Sequence, residues 1–245
     1  MRTIKLTIQY DGTAYVGWQI QPKGLTVQGI IEEKLKRLTG EAVRLTAASR
    51  TDAGAHAMGQ VAHFKTKSRL DPKAIQRALN SLLPPDIAIL KGEEAPEGFH
   101  ARRDAKSKVY EYRILNRDVR SVFDRLYAWH VPQKLNLSSM RKATGYLVGE
   151  HDFSAFRSTG TPTHTAVRKV IRAQWKRGRR GFLAFEIEGS GFLKQMVRAI
   201  VGTLVEVGKG KIDPEGFREI LEAKDRSKAG PTAPAHGLFL MEVKF

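Results

Sequence analysis

One pattern constrains this chain more than any other: a strand–helix–strand–strand–helix–strand order that occurs twice. Residues 4–10 alternate apolar with polar and predict a strand. Thr26 reads as an N-cap, Val27, Ile30, Ile31, Leu35 and Leu38 fall at helical spacing, and Gly40 closes the helix. Two segments with strand character follow, at 43–48 and 60–65. Asp71-Pro72 starts a second helix with Ile75, Leu79, Leu82 and Leu83 as its buried stripe, and Pro84-Pro85 stops it before a strand at 87–90. The order then recurs as a strand over 108–116, a helix over 138–148, strands over 167–176 and 182–188, an apolar helix over 192–207 and a closing strand over 238–245. A further helical piece follows Asp213-Pro214. Both first helices end in similar words, Leu38-Thr39-Gly40-Glu41 and Leu147-Val148-Gly149-Glu150. The predicted fold class is α+β: two duplicated split β-α-β-β-α-β (ferredoxin/RRM-like) units joined around a central, mostly antiparallel sheet, with a cleft between them. The division falls near 102–106, giving an N-terminal unit over 1–104 and a C-terminal unit over 105–245. A cleft at a domain interface is where a ligand site is expected.

The connection between the strands at 43–48 and 60–65 is longer than a hairpin needs. It is built of small side chains around one acid, in Ser49-Arg50-Thr51-Asp52-Ala53-Gly54-Ala55-His56. Small residues let a large, flat substrate approach the backbone, and Gly54 and Gly59 permit positive φ. Two readings stand side by side: a catalytic Asp52, or a tight turn in which Asp52 bonds its own backbone. Arg50 reads equally as a phosphate ligand. His56 and His63 raise a metal site, but without cysteine or an acidic cluster beside them they read better as solvent- or RNA-facing. In the second half, Tyr110 and Tyr112 share one face of a strand, and half-burial in the sheet accounts for at least one of them. Arg198 lies inside the apolar run from Phe192 to Val201 and must find an anion, because an unpaired buried charge is costly. Asp52 is the acid that suits it. His151-Asp152-Phe153-Ser154-Ala155-Phe156-Arg157 reads first as an aromatic anchor and second as another functional loop.

Charge narrows the partner. Lys plus Arg number 42 against 25 Asp plus Glu, and 42 − 25 gives a net charge of +17. A chain this basic repels itself unless it meets a polyanion. Arg168, Lys169, Arg172, Lys176, Arg177, Arg179 and Arg180 concentrate on one predicted hairpin, and Arg102, Arg103, Lys106 and Lys108 mark the crossing between units. A solvated face is the usual reading of such runs, but the surplus here exceeds it. No apolar window of about eighteen residues exists, which argues against a membrane partner. Met1-Arg2-Thr3-Ile4-Lys5 enters a strand rather than a secretion signal. The absence of cysteine suits a reducing, cytoplasmic setting. Scarce asparagine (Asn80, Asn116, Asn136) points weakly to a thermophilic source.

These residues together resemble a known family. Arg50-Thr51-Asp52-Ala53-Gly54-Ala55-His56-Ala57 is similar to the Arg-Thr-Asp-Ala-Gly-Val-His-Ala signature of the tRNA pseudouridine synthase A family. The similarity continues through Gly59–Phe64, Phe99-His100-Ala101-Arg102, Tyr110, Gly149–Phe153, Phe192–Gly202 and Ala235–Leu240, across essentially the whole chain. Departures are few: Ser49 and Ala55 stand where glycine and valine are usual, and Ala199 where asparagine often follows Met-Val-Arg. The resemblance implies an isomerase that converts uridine to pseudouridine at positions 38, 39 and 40 of the tRNA anticodon arm, with no cofactor and no metal. It implies Asp52 as nucleophile, Tyr110 packed against the target base, and Arg198 paired with the aspartate. Arg50, His56, Arg102, Arg168, Arg177, Arg179 and Arg180 are then the candidate RNA-binding residues, and a homodimer is the expected assembly. The chemistry agrees. An N-glycosidic bond breaks and the same ring rejoins through carbon, which suits a carboxylate in covalent work. The base must leave its stack, and an aromatic ring can hold it.

Two rivals lose on residues. A non-catalytic RNA-binding module of duplicated units lacks the paired stacking aromatics expected on central strands, and leaves an acid in the cleft that repels phosphate. A metal-dependent nuclease needs clustered carboxylates that the sequence does not offer.

Overall fold

The computed structural model describes residues 1–158 and 165–245. In chain order its elements are β1 (Arg2–Tyr10), α1 (Val27–Thr39), β2 (Thr46–Ala47), β3 (His56–Thr66), α2 (Pro72–Leu82), β4 (Ile87–Ala95), β5 (Ser107–Leu115), β6 (Trp129–His130), α3 (Leu137–Gly145), β7 (Gly149–Asp152), β8 (Val167–Arg177), β9 (Phe182–Gly189), α4 (Met196–Gly208), α5 (Pro214–Ala223) and β10 (Leu238–Lys244). The fold is mixed α+β with mostly antiparallel pairing. Two compact units form, Met1–Lys106 with Phe239–Phe245, and Ser107–Leu238. A division at 104/105 leaves the closing strand with the second unit, whereas the structure counts it with the first.

In the first unit β1 lies between β4 and β3, antiparallel to both. Its apolar residues are buried because alternation sends Ile4, Leu6, Ile8 and Tyr10 to one face. Thr26 accepts the Gly29 amide (3.3 Å) and Gly40 ends α1 at φ 73°. Asp71 accepts the amides of Lys73 and Ala74, and Pro72 needs no amide partner, so α2 starts there. The strand predicted over 43–48 shrinks to Thr46–Ala47, and β3 begins at His56 rather than at 60. Ahead of Thr46 the Leu45 amide leaves the ladder and donates to Glu32 Oε1 on α1 (2.7 Å), while the early start of β3 is set along one of its edges. Thr46 and Ala47 pair with His63 and Ala62, while β10 takes the start of the same edge in parallel, Phe239 opposite His56 and Leu240 opposite Ala57. Gly59 is what lets β10 come so close: a Cβ there would lie 2.5 Å from the Met241 carbonyl. Its φ is not positive, so the expected use of Gly59 is corrected to close approach, while Gly54 does take φ 76°.

In the second unit the order is β5-β9-β8-β7, all antiparallel, with β6 added to β5 in parallel. Its core is aromatic. Phe156 stacks on Phe217 at 5.5 Å, Trp175 packs on Phe185 at 5.0 Å, and the Trp175 indole donates to Thr144 Oγ1 (3.0 Å) on α3. Phe153, Ala155 and Phe156 are fully buried, so the 151–157 segment is the aromatic anchor its sequence suggests. α4 starts four residues later than predicted, at Met196. Ahead of it, Gln195 sits at φ 61° and supplies no side-chain cap.

Candidate active site

The Asp52 loop, residues 48–55, is fixed from beneath by the segment that follows β1. The Tyr10 hydroxyl and Thr51 Oγ1 share a buried hydrogen bond of 2.7 Å. The Trp18 amide donates to the Thr51 carbonyl (3.2 Å), and the Gly54 amide donates to the Tyr15 carbonyl (3.2 Å). Two glycines make this approach possible. A Cβ on Gly12 would lie 1.9 Å from the Ala55 carbonyl, and one on Gly17, already at φ 101°, would lie 2.7 Å from the Thr51 carbonyl. At the loop's entry Gln60 clasps Ser49, donating to its carbonyl (2.8 Å) and accepting its amide (3.3 Å). Thr51 and Ala55 are buried, Asp52 is half-exposed between them, and Arg50 and Ala53 are exposed. The turn bond runs from the Ala55 amide to the Asp52 backbone carbonyl, 3.1 Å. The main chain thus closes the turn.

His56 corrects an expectation. It is 1% exposed and stacks on Phe239 with ring centroids 4.6 Å apart, so it faces the interior and not solvent or RNA. Its Nδ1 faces the Gly12 amide (3.1 Å), tying the end of the loop to the turn at Asp11-Gly12. Asp11 Oδ1 lies 3.1 Å from the same nitrogen. An amide donor needs a lone pair there and a carboxylate needs a proton, so the two contacts compete. The amide contact, being backbone to a 1%-exposed ring, is the structural one. His63 is buried as well and accepts the Ala101 amide at Nδ1 (3.2 Å). Burial, joined by the charge of His100, holds its pKa below the ordinary histidine value. Among the described residues no group of three His, Cys, Asp or Glu is placed to hold a metal ion.

The second unit separates the two tyrosines of β5. Tyr112 is fully buried, its hydroxyl donates to the Pro234 carbonyl (2.7 Å), and Gly237 presses against its ring. Burial drives its phenol pKa upward. Tyr110 meets the edge of Phe192 at 5.1 Å and 83°. Arg198 lies in the first turn of α4, where the helix dipole disfavours a cation. Its Nε donates to the Ala233 carbonyl (2.8 Å), and the Ala233 amide returns a bond to the Arg198 carbonyl (3.1 Å). The helix and the 230–233 segment touch at Gly202, where a Cβ would fall 1.7 Å from the Pro231 carbonyl. A left-handed Gln195, a missing cap and a misplaced cation are three local costs in one turn, and such costs gather where function requires them.

The basic residues divide into two kinds. Arg177, Arg179 and Arg180 are exposed at the β8–β9 turn, and Arg102 is exposed after the Phe99–His100 corner. Arg168 is half-exposed and its Nη1 donates to the carbonyls of Thr165 and Val167. Arg172 and Lys176, grouped with them by sequence, are also exposed but are paired within the protein: each lies 2.7 Å from Glu186. Burial pushes the Glu186 carboxyl up, but hydrogen bonds from Lys176 and Gln174 and the charge of Arg172 outweigh it and hold the pKa below the usual range.

The structure therefore places Arg50 and Asp52 on one loop of the first unit, with His56 buried at the start of β3 behind it, and Tyr110 with Phe192, Tyr112 and Arg198 in the second. Sequence reasoning missed the support beneath Asp52, namely Tyr10, Thr51, Trp18 and Gln60. The one signal for it was the aromatic stretch at 15–19, which no strand or helix pattern explains.

The chain is similar to known proteins along its length. The family described as tRNA pseudouridine synthase matches residues 6–104 and 143–245. A tRNA pseudouridine synthase A of Geotalea daltonii is 49% identical over 243 residues, covering 99% of each chain. The protein of that name from Acetivibrio thermocellus is 49% identical over 245 residues, with both chains fully covered. One from a Thermoanaerobacter species is 45% identical over 243 residues, covering 99% of each. The chain belongs to the tRNA pseudouridine synthase family, isomerases that convert uridine to pseudouridine in tRNA.

Proposed function

We propose that this protein isomerises uridine at positions 38, 39 and 40 in the tRNA anticodon stem-loop, with Asp52 as nucleophile and without a cofactor. The observation that carries the reading is the Asp52 loop: a carboxylate held half-exposed between two buried residues, on a backbone pinned from beneath. Reaction geometry must be held to within roughly 0.5 Å, and this loop is built for that. The carboxylate attacks at C1′ or at C6, the N1–C1′ bond breaks, the ring turns, and C5 bonds to C1′; the bond from Asp52 to C1′ or C6 then breaks and returns the free carboxylate. The C5 proton leaves and N1 gains one, so atoms balance with no oxidant or reductant. Tyr110 stands at the flipped base, backed by the edge of Phe192, and its hydroxyl takes part in moving the C5 proton. Arg198, pinned at Nε, orients the Asp52 carboxylate. Arg50, Arg102, Arg168, Arg177, Arg179 and Arg180 meet phosphates, while His56 supports the loop from inside. The protein works as a homodimer in the cytoplasm. Among the described residues no helix is long and apolar enough to cross a membrane.

A tRNA carrying uridine at 38, 39 and 40, treated with the chelator-dialysed enzyme, tests this. The expected result is carbodiimide-dependent primer-extension stops at those three positions in RNA of unchanged length and mass. Stops in another arm, a metal requirement, or shortened RNA would overturn it.

A further inference from the structure

A groove of about 600 Å³ opens in the second unit where α3 begins, lined among others by Lys134, Leu135, Asn136, Leu137, Arg141 and Arg177. We propose that this groove binds the phosphodiester backbone of the RNA substrate, with Lys134, Arg141 and Arg177 as its phosphate ligands. The proposal rests on the reading that the substrate is an RNA, and it adds Lys134 and Arg141 to the residues that bind it.

Three observations carry it. First, the lining holds three cations and no carboxylate. Lys134, Arg141 and Arg177 come from three different elements, all exposed, and among the described residues no ion pair engages any of them. Side chains within a Debye length of one another, about 8 Å at physiological salt, add their fields in a concavity. Second, the neighbouring cations of β8 are spent differently. Arg172 and Lys176 point to the opposite face, where Glu186 neutralises them, whereas Arg177 shares the face of Trp175, which packs on α3. Alternation thus delivers Arg177, at the end of the strand, to the groove side and away from Glu186. Third, the groove is shaped to keep these cations presented. Leu135 and Leu137 form a buried apolar floor for long side-chain stems, and Arg141 Nη2 reaches the Trp175 carbonyl (3.4 Å).

The position fits a polymer better than a small anion. Tyr110 pairs with Ile187, which pairs with Ala173, while Arg177 pairs with Leu183, four residues further along β8. At 3.3–3.4 Å per residue the groove lies about 13 Å along the strand from the level of Tyr110. A phosphate bound there belongs to a part of the RNA away from the target base. Its work is to fix the register of the strand, as backbone contacts do.

The test is the salt dependence of tRNA affinity, read by fluorescence anisotropy, for Lys134→Gln/Arg141→Gln beside the unmodified protein. Each phosphate that goes unneutralised should lower the slope of log affinity against log salt by about one, so the double variant should lose about two. Lys134→Arg should keep its share of the slope. Arg172→Gln, with its charge already engaged by Glu186, should leave the slope where it was. Equal slopes for the double variant and the unmodified protein would overturn the proposal. So would an equal drop in Arg172→Gln, which would reflect net charge alone. Pseudouridine formed by the same samples separates the two readings. An unchanged slope with pseudouridine present sinks only the groove, whereas a groove-dependent slope with no pseudouridine leaves the groove standing and sinks the activity.

Discussion

The same connection is built in opposite ways in the two units. In the first, the link between β2 and β3 is residues 48–55, with Thr51 and Ala55 buried and bonds from Tyr10, Trp18, Tyr15 and Gln60 holding it. In the second, the link between β8 and β9 closes on itself: the Gly178 amide donates to the Phe182 carbonyl (2.8 Å) and the Phe182 amide to the Arg179 carbonyl (3.1 Å). Arg177, Arg179 and Arg180 stand exposed around it. One place in the topology thus serves position in one unit and charge in the other. A nucleophile must be held still, and that takes a buried underside. A phosphate is met through a field that tolerates side-chain motion, and an exposed turn suffices.

Variants on each side sharpen this contrast. Among variants that set one unit against the other, the largest effect is expected at the tyrosine of each unit's first strand. Tyr110→Phe keeps the ring and removes a hydroxyl assigned to proton transfer, so single-turnover rates should fall roughly 10²–10⁴-fold at unchanged tRNA affinity and melting temperature. Tyr10→Phe, which removes the hydroxyl bonded to Thr51, should instead lower stability by about 1 kcal/mol with a smaller loss of turnover. If the two behave alike, Tyr110 is a packing residue. Next comes Gly12→Ala, whose Cβ would collide with the Ala55 carbonyl. Denaturant unfolding should show a loss of about 1–3 kcal/mol, whereas Arg179→Ala on the exposed turn should stay within about 0.5 kcal/mol. Replacing Arg177, Arg179 and Arg180 together by alanine should flatten the salt dependence of tRNA binding by about one for each phosphate these side chains neutralise, with turnover at saturating tRNA little changed. An unaltered slope would make the turn a solvated face.

The smallest effect is on pH dependence, and the two sides should answer in different windows. His63, beneath the first unit's loop strand, has its folded pKa lowered by burial, so folding favours the neutral ring. Its contribution is complete above the ordinary value of about 6.5 and is lost as pH falls from there through the folded pKa. Glu186, under Arg172 and Lys176, has a depressed pKa, so its contribution is present above the ordinary carboxylate range and is lost only below it. Melting temperatures from about pH 3 to 8 should therefore flatten near about 6 in His63→Gln and near about 4 in Glu186→Gln. Coincident windows would refute the assignment.

Sequence carried the helices well because their signals are local. Thr26 and Gly40 cap α1 and Asp71-Pro72 opens α2 through bonds made within a few residues. What it did not carry is decided by long-range contacts. β2 starts only at Thr46 because the Leu45 amide bonds Glu32 on α1, and β3 starts early because β10, nearly two hundred residues further along the chain than β2, pairs with His56 and Ala57. Nothing near His56 or His63 in sequence announces Phe239 or Ala101, so both rings read as exposed when both are buried. Gly59 carried the right residue for another reason, the approach of Met241. Tyr110 and Tyr112 were separable only through the chemistry of the matched motif, since alternation puts both on one face. It is Pro234 and Gly237, far along the chain, that bury Tyr112.

The central claim is that the pinned loop exists to present the Asp52 carboxylate. Asp52→Asn keeps the shape of the side chain and removes the attacking charge, and it should be followed by single-turnover pseudouridine formation alongside the tRNA dissociation constant. The expected result is a rate lower by about 10⁴-fold or more, with tRNA affinity retained and the melting temperature unchanged. Turnover near that of the unmodified protein, or a parallel loss of binding and activity, would contradict the account and make Asp52 a structural residue of the loop.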